Sequence, residues 1–93
     1  MTEEQASGRF KIVNKLGLHA RAATKLVQLA ATFPCEVELA REEQAANAKS
    51  VMGVLLLCGS RGTVLEVRAC GARAGECVKA IGELIANRFG EPS

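Results

Sequence analysis

Apolar and polar residues alternate with period two in some stretches of the chain and recur at helical spacing in others. From about Gly8 to Asn14, Phe10 and Ile12 fall on one face and Arg9, Lys11 and Val13 on the other, which predicts a half-buried strand. Ala20, Ala23, Leu26, Val27 and Ala30 then follow helical spacing, with Arg21, Thr24, Lys25 and Gln28 on the polar side, which predicts an amphipathic helix to about Ala31. Pro34 stops it, because the residue before a proline is biased away from helical geometry. Cys35, Val37 and Leu39 alternate with Glu36 and Glu38, predicting a second strand over 35–40. A short third strand over 44–47 would follow the polar turn Arg41-Glu42-Glu43, which lacks the Asn-Gly signature of a tight hairpin.

The apolar run from Val51 to Leu57 reads as a short helix with Ser50 as its N-cap, although a buried strand fits the same run. Gly53 costs about 1 kcal/mol relative to Ala in such a helix. On pattern alone Val51 and Met52 read as core. Gly59-Ser60-Arg61-Gly62 marks a turn, and Thr63 to Cys70 a strand with Leu65, Val67 and Ala69 inward. Cys77, Val78, Ile81, Leu84, Ile85 and Phe89 form the stripe of a final helix. Glu76 in its first turn and Arg88 in its last suit the helix dipole, and Gly90 and Pro92 end it. The order β-α-β-β-α-β-α predicts an α+β open-faced sandwich, with a mainly antiparallel four-stranded sheet and three helices on one face. Residues 1–7 read as a flexible leader, 8–90 as one domain and 91–93 as a tail.

Composition narrows the function classes. Ninety-three residues, almost half of them apolar, suit one compact domain. With no Trp or Tyr and only three Phe, the chain lacks the stacking platform of a single-strand nucleic-acid binder. A net charge of +2 is too small to imply nucleic acid or membrane. No apolar run approaches the roughly 20 residues that span a bilayer, and the polar, acidic start Met1-Thr2-Glu3-Glu4-Gln5 does not read as a signal peptide. Cys35, Cys58, Cys70 and Cys77 show no C-x-x-C pairing and read as reduced, small apolar residues of a cytoplasmic protein. With one histidine and no Gly-rich nucleotide loop, neither a metal nor any other cofactor is expected.

That one histidine, His19, falls where the strand pattern gives way to the helix pattern, near the N-cap. Ser, Thr, Asp or Asn is the ordinary choice there, so a histidine gives up good capping chemistry. The first turn of a helix presents unpaired N–H groups and the positive end of the dipole, both of which favour an anion. Arg21 adds a permanent charge and a donor fork suited to phosphate oxygens. The same positive field disfavours an imidazolium, leaving a neutral, nucleophilic ring. These residues fit a histidine that takes up a phosphoryl group, but equally a surface histidine with a solvated arginine beside it.

Gly17-Leu18-His19-Ala20-Arg21 and Asn47-Ala48-Lys49-Ser50-Val51-Met52-Gly53, at their spacing, resemble the phosphocarrier HPr family of the bacterial phosphoenolpyruvate-dependent phosphotransferase system, over residues 8–89. The resemblance implies that His19 accepts a phosphoryl group on Nδ1 from phosphorylated enzyme I and passes it to a IIA-type domain. Arg21 matches the family's phosphate-stabilising arginine, with backbone support from Ala20 and Arg21. Ser50 matches its regulatory site, open to a dedicated serine kinase/phosphatase. Val51, Met52 and Val54 match its docking patch, and Ala20, Arg21, Lys25 and Lys49 are expected around it. The implied protein is a monomeric carrier in sugar transport rather than a stand-alone enzyme. The family usually has proline where this chain has Ala22, which leaves a looser first turn. Asn14-Lys15-Leu16-Gly17 leaves open a nitrogen-type branch of the system. The alternatives are a regulatory binding module acting through the Ser50 and Met52 surface, and a small ligand-binding domain, for which the chain lacks a polar inward-facing cluster.

Overall fold

The computed structural model describes residues 4–93. Strand β1 (Gln5–Lys11) leads to helix α1 (Ala20–Ala31), the hairpin β2 (Glu36–Arg41) and β3 (Gln44–Asn47), helix α2 (Val51–Leu56), strand β4 (Val64–Cys70) and helix α3 (Ala74–Ala86). The sheet order is β1-β4-β2-β3, antiparallel throughout. Period-two alternation sends Val37, Leu39, Leu65, Val67 and Ala69 to one face, where they are buried against the helices. The other face is open: there Arg68 pairs with Glu38 and Glu66, each at 2.7 Å. Ala22, Ala23, Leu26 and Ala30 of α1 meet Ile81 and Ile85 of α3 and the ring of Phe89 in a single core. Each large side chain buried this way contributes about 1.5–3 kcal/mol.

Several boundaries differ from the periodicity. Gln5 pairs with Cys70 and Ser7 with Arg68, so β1 begins three residues before the expected start at Gly8 and takes in the last three residues of the stretch expected as a leader. Met1 to Glu3, the first three residues of that leader, lie outside the described residues. Backbone pairing, which composition does not report, sets that start. The β2–β3 link is a two-residue turn, Arg41 facing Gln44, with Glu42 in the left-handed region at φ 54°. Asn or Gly is the usual signal for that conformation, so nothing in the sequence announced it. Helix α3 ends at Ala86, short of Arg88, which therefore does not complement its last turn. Phe89 joins the core from outside the helix, on a left-handed turn formed by Arg88 (φ 59°), Phe89 (φ 54°) and Gly90 (φ 80°).

Candidate functional site

The loop between β1 and α1 presents His19 at the helix N-cap. Gly17 turns the chain at φ 68°, and a Cβ there would stand 2.5 Å from the Gly59 carbonyl oxygen. Only glycine fits both the conformation and the approach. The Leu18 N–H then donates to the Gly59 carbonyl at 2.7 Å, fastening the loop to the segment after α2. His19 follows in extended geometry, and its carbonyl accepts from the Ala23 N–H at 2.9 Å. Its ring supplies the cap itself: the Arg21 N–H donates to Nδ1 at 3.2 Å. The expectation that a histidine gives up capping chemistry is therefore corrected, because the Nδ1 lone pair does what a serine oxygen would do.

The opposite ring nitrogen meets a residue that periodicity could not single out. Nε2 contacts the Glu91 carboxylate. That carboxylate also accepts from Asn14 Nδ2 at 2.9 Å, and the same amide group donates to the Gly17 carbonyl at 2.9 Å. Asn14 is fully buried and the Glu91 side chain only 10 % exposed. The Asn14 hydrogen bond holds the Glu91 carboxyl below the usual carboxylate range, against its partial burial, with help from the His19 contact and the Arg21 charge. The ring's partners fix its tautomer: Nδ1 accepts, and Nε2 carries the proton toward the carboxylate. The only sequence cue to Glu91 is its place between Gly90 and Pro92, the residues that end the helical pattern.

The other expected residues are partly brought together. Ala20 and Arg21 open α1, and the Arg21 side chain is exposed beside the site. Met52 and Leu56, one turn apart on α2, are 67 % and 68 % exposed, and Leu16 of the histidine loop is 65 % exposed. Leu16 and Leu56 are additions to the expected patch. Val51 is at its margin, less exposed than Met52 and Leu56. Val54 is fully buried among the core residues, so it offers no docking surface; in a short amphipathic helix it takes the inward position between the exposed Met52 and Leu56. Ser50 does cap α2, its Oγ accepting from the Gly53 N–H at 3.1 Å.

The two lysines do not ring the histidine. Lys25 Nζ donates to the Phe89 carbonyl at 2.7 Å, and so fastens the C-terminal turn to α1. Lys49 Nζ donates to the Phe33 carbonyl at 2.8 Å, past the far end of α1. Twelve helical residues, about 18 Å, separate that end from His19. Lys49 instead borders a broad concavity of about 930 Å³ on the open sheet face, with Ser7, Glu36, Glu38, Asn47 and Arg68. Among the described residues no group of three His, Cys, Asp or Glu side chains could hold a metal, and no helix is long and apolar enough to cross a membrane.

Comparison with known proteins gives this geometry a setting. The family profile described as the PTS HPr component phosphorylation site matches residues 6–87. The chain is 48 % identical over 80 residues to the phosphocarrier protein HPr of Xylella fastidiosa, covering 86 % of this chain and 90 % of that one. It is 43 % identical over 82 residues to the phosphocarrier protein NPr of Shewanella violacea, covering 88 % and 90 %. Among solved structures, HPr-C-His from Thermoanaerobacter tengcongensis superposes with a TM-score of 0.91 at 38 % identity, covering 95 % of this chain and 99 % of that one.

Proposed function

The chain belongs to the HPr phosphocarrier family of the phosphotransferase system, and from that premise we propose that it takes a phosphoryl group onto His19 Nδ1 from phosphorylated enzyme I and passes it to a IIA-type domain. The observation that carries the reading is the orientation of the ring. Nδ1 holds an available lone pair at the start of α1, where free N–H groups and the helix dipole favour a dianion. The lone pair forms the new N–P bond as the donor's P–N bond breaks, its electron pair returning to the donor ring. The Arg21 N–H, which caps Nδ1 in the free protein, turns to a phosphoryl oxygen, and the exposed Arg21 guanidinium reaches another. One arginine and one helix end steady the group without enclosing it, which suits a carrier that must release what it accepts. The protein acts as a monomer in the cytoplasm and is restored by its acceptor, a carrier rather than a catalyst.

Docking uses Leu16, Met52 and Leu56, a cluster of exposed apolar side chains on the loop and helix that the Leu18–Gly59 bond holds together. Phosphorylation of Ser50 by a serine kinase would add roughly −2 charge at the head of α2. It would act on partners that approach Met52. The tie to Gly59 lies at the other end of α2, so Ser50 works on the docking face and not on the ring. The relatives carry both HPr and NPr names at similar identity, so the sugar-type and nitrogen-type branches are both open to this chain. The exposed Met52 beside Ser50 favours a second reading, a regulatory module that binds partners through this surface with His19 idle.

Incubation with phosphoenolpyruvate and enzyme I, read by intact-protein mass away from acid, separates the two. The carrier gains one phosphoryl group and the His19→Ala variant gains none. An unmodified wild-type protein, with enzyme I from the same organism, would favour the binding module.

A further inference from the structure

We propose that Glu91, held by Asn14, is a positioning residue for phosphoryl transfer: it keeps the proton on His19 Nε2 while Nδ1 gains and loses the phosphoryl group. The inference rests on His19 being the acceptor.

The first argument is backbone strain. Three successive residues, Arg88, Phe89 and Gly90, take left-handed φ values, and two of them carry side chains. Glycine takes that conformation freely, but Arg88 and Phe89 are strained in it. A segment without tertiary support would relax. This one is held by the fully buried Phe89 ring, by Lys25 on the Phe89 carbonyl at 2.7 Å, and by Arg88 on the Pro92 carbonyl at 3.0 Å. The strained turn delivers the Glu91 carboxylate to His19.

The second argument is the hydrogen-bond accounting. Asn14 is fully buried, and its side chain donates through Nδ2 both to Gly17, in the loop that carries the histidine, and to Glu91. Its Oδ1 is buried without a partner, so the amide is oriented by the demands of that loop and carboxylate at the expense of its own acceptor. The chain His19–Glu91–Asn14 has the logic of a ring oriented by a carboxylate that is itself oriented.

The chemistry follows from charge. When Nδ1 forms the N–P bond and Nε2 keeps its proton, the ring becomes a phosphorylated imidazolium. Losing that proton would leave a neutral ring, which is a poorer leaving group on the way to the acceptor. A carboxylate against Nε2 favours the charged ring from the side away from the phosphoryl group. The charged groups beside it are Arg21 from α1 and Glu91 itself, while Lys25 is turned to the Phe89 carbonyl. The Arg21 charge opposes the ring's charge, so the effect falls to Glu91.

Glu91→Gln keeps the shape and removes the charge. Two measurements are made on wild type and variant, with thermal unfolding to confirm that both fold. In the unphosphorylated protein, nitrogen-15 and proton spectra of His19 should show a slowly exchanging proton on Nε2 in wild type, lost or moved upfield in Glu91→Gln. In transfer from the phosphorylated protein to a IIA domain, the alkaline limb of the rate profile should move down by about one pH unit, a loss of about tenfold at the alkaline side. Glu91→Asp, which restores the charge, should recover part of the shift. If wild type and Glu91→Gln are both phosphorylated on His19 and share one pH profile, this inference is overturned while the carrier reading stands. If wild type is not phosphorylated at all, the carrier reading fails and this inference falls with it.

Discussion

The Leu18 N–H donates to the Gly59 carbonyl at 2.7 Å, and this bond ties the histidine loop to the segment that follows helix α2. Gly17 makes the approach possible. Gly17→Ala would place a methyl group 2.5 Å from that carbonyl oxygen and force alanine to a left-handed φ. Strain and crowding together should cost about 2–4 kcal/mol. Urea unfolding should show a lower midpoint with an unchanged slope. Phosphoryl uptake should fall further than global stability does, because the loop shifts first.

Ser50 offers two substitutions with opposite signatures. Ser50→Ala removes the cap on the Gly53 N–H and should cost about 1 kcal/mol in thermal or urea unfolding. Ser50→Asp keeps a capping oxygen and adds a negative charge at a helix N-terminus, so stability should be retained. Its effect should appear as a higher KM for enzyme I. Equal KM values for Ser50→Asp and wild type would remove the regulatory role.

Glu91 also sets an acid limb. Its carboxyl is held low in the folded protein, chiefly by the Asn14 hydrogen bond, so folding favours the ionised form. A lowered folded value contributes stability that is present above the ordinary carboxylate value of 4.5 and is lost as pH falls through the folded value. Wild type should therefore lose thermal stability below about pH 4.5 more steeply than Glu91→Gln. Matching slopes below that pH would mean that the carboxylate is not held in solution.

The four thiols should separate by burial. Cys77 is fully buried, and its thiol is pushed up to about 12 by burial and by the neighbouring Cys35. Cys58 is exposed at the end of α2. With a thiol reagent at pH 8, Cys58 should react quickly and Cys77 only on unfolding. The raised Cys77 value also contributes stability that is complete below the ordinary thiol value of 9.0 and is lost as pH rises from there toward 12. Cys77→Ala should flatten that alkaline decline, after allowance for the cavity it leaves.

The sequence showed most of the scaffold because two periodicities carry it. Val37 and Leu39 on β2, Leu65 and Val67 on β4, and Leu26 and Ala30 on α1 all lie inward as their spacing requires. His19 and Ser50 were legible as helix-start residues, and each caps its helix through its own side chain. What escaped is tertiary. Gln5 to Ser7 have no strand pattern and are ordered by pairing with Arg68 to Cys70. Val54 lies two positions from the exposed Met52 and Leu56, and the phase of a six-residue helix decides its burial. Lys49 stands beside Ser50 in the chain, yet its side chain runs to Phe33. Glu91 lies 72 residues from His19 and reaches it through the left-handed turn at Arg88-Phe89-Gly90, which no periodicity reports.

The most direct measurement is to label the histidine with nitrogen-15, phosphorylate the protein with enzyme I and phosphoenolpyruvate, and identify which ring nitrogen carries phosphorus. The orientation set by Arg21 and Glu91 predicts a single product, with phosphorus on Nδ1 of His19 and the proton on Nε2. Phosphorus on Nε2, or an unmodified ring, would contradict it.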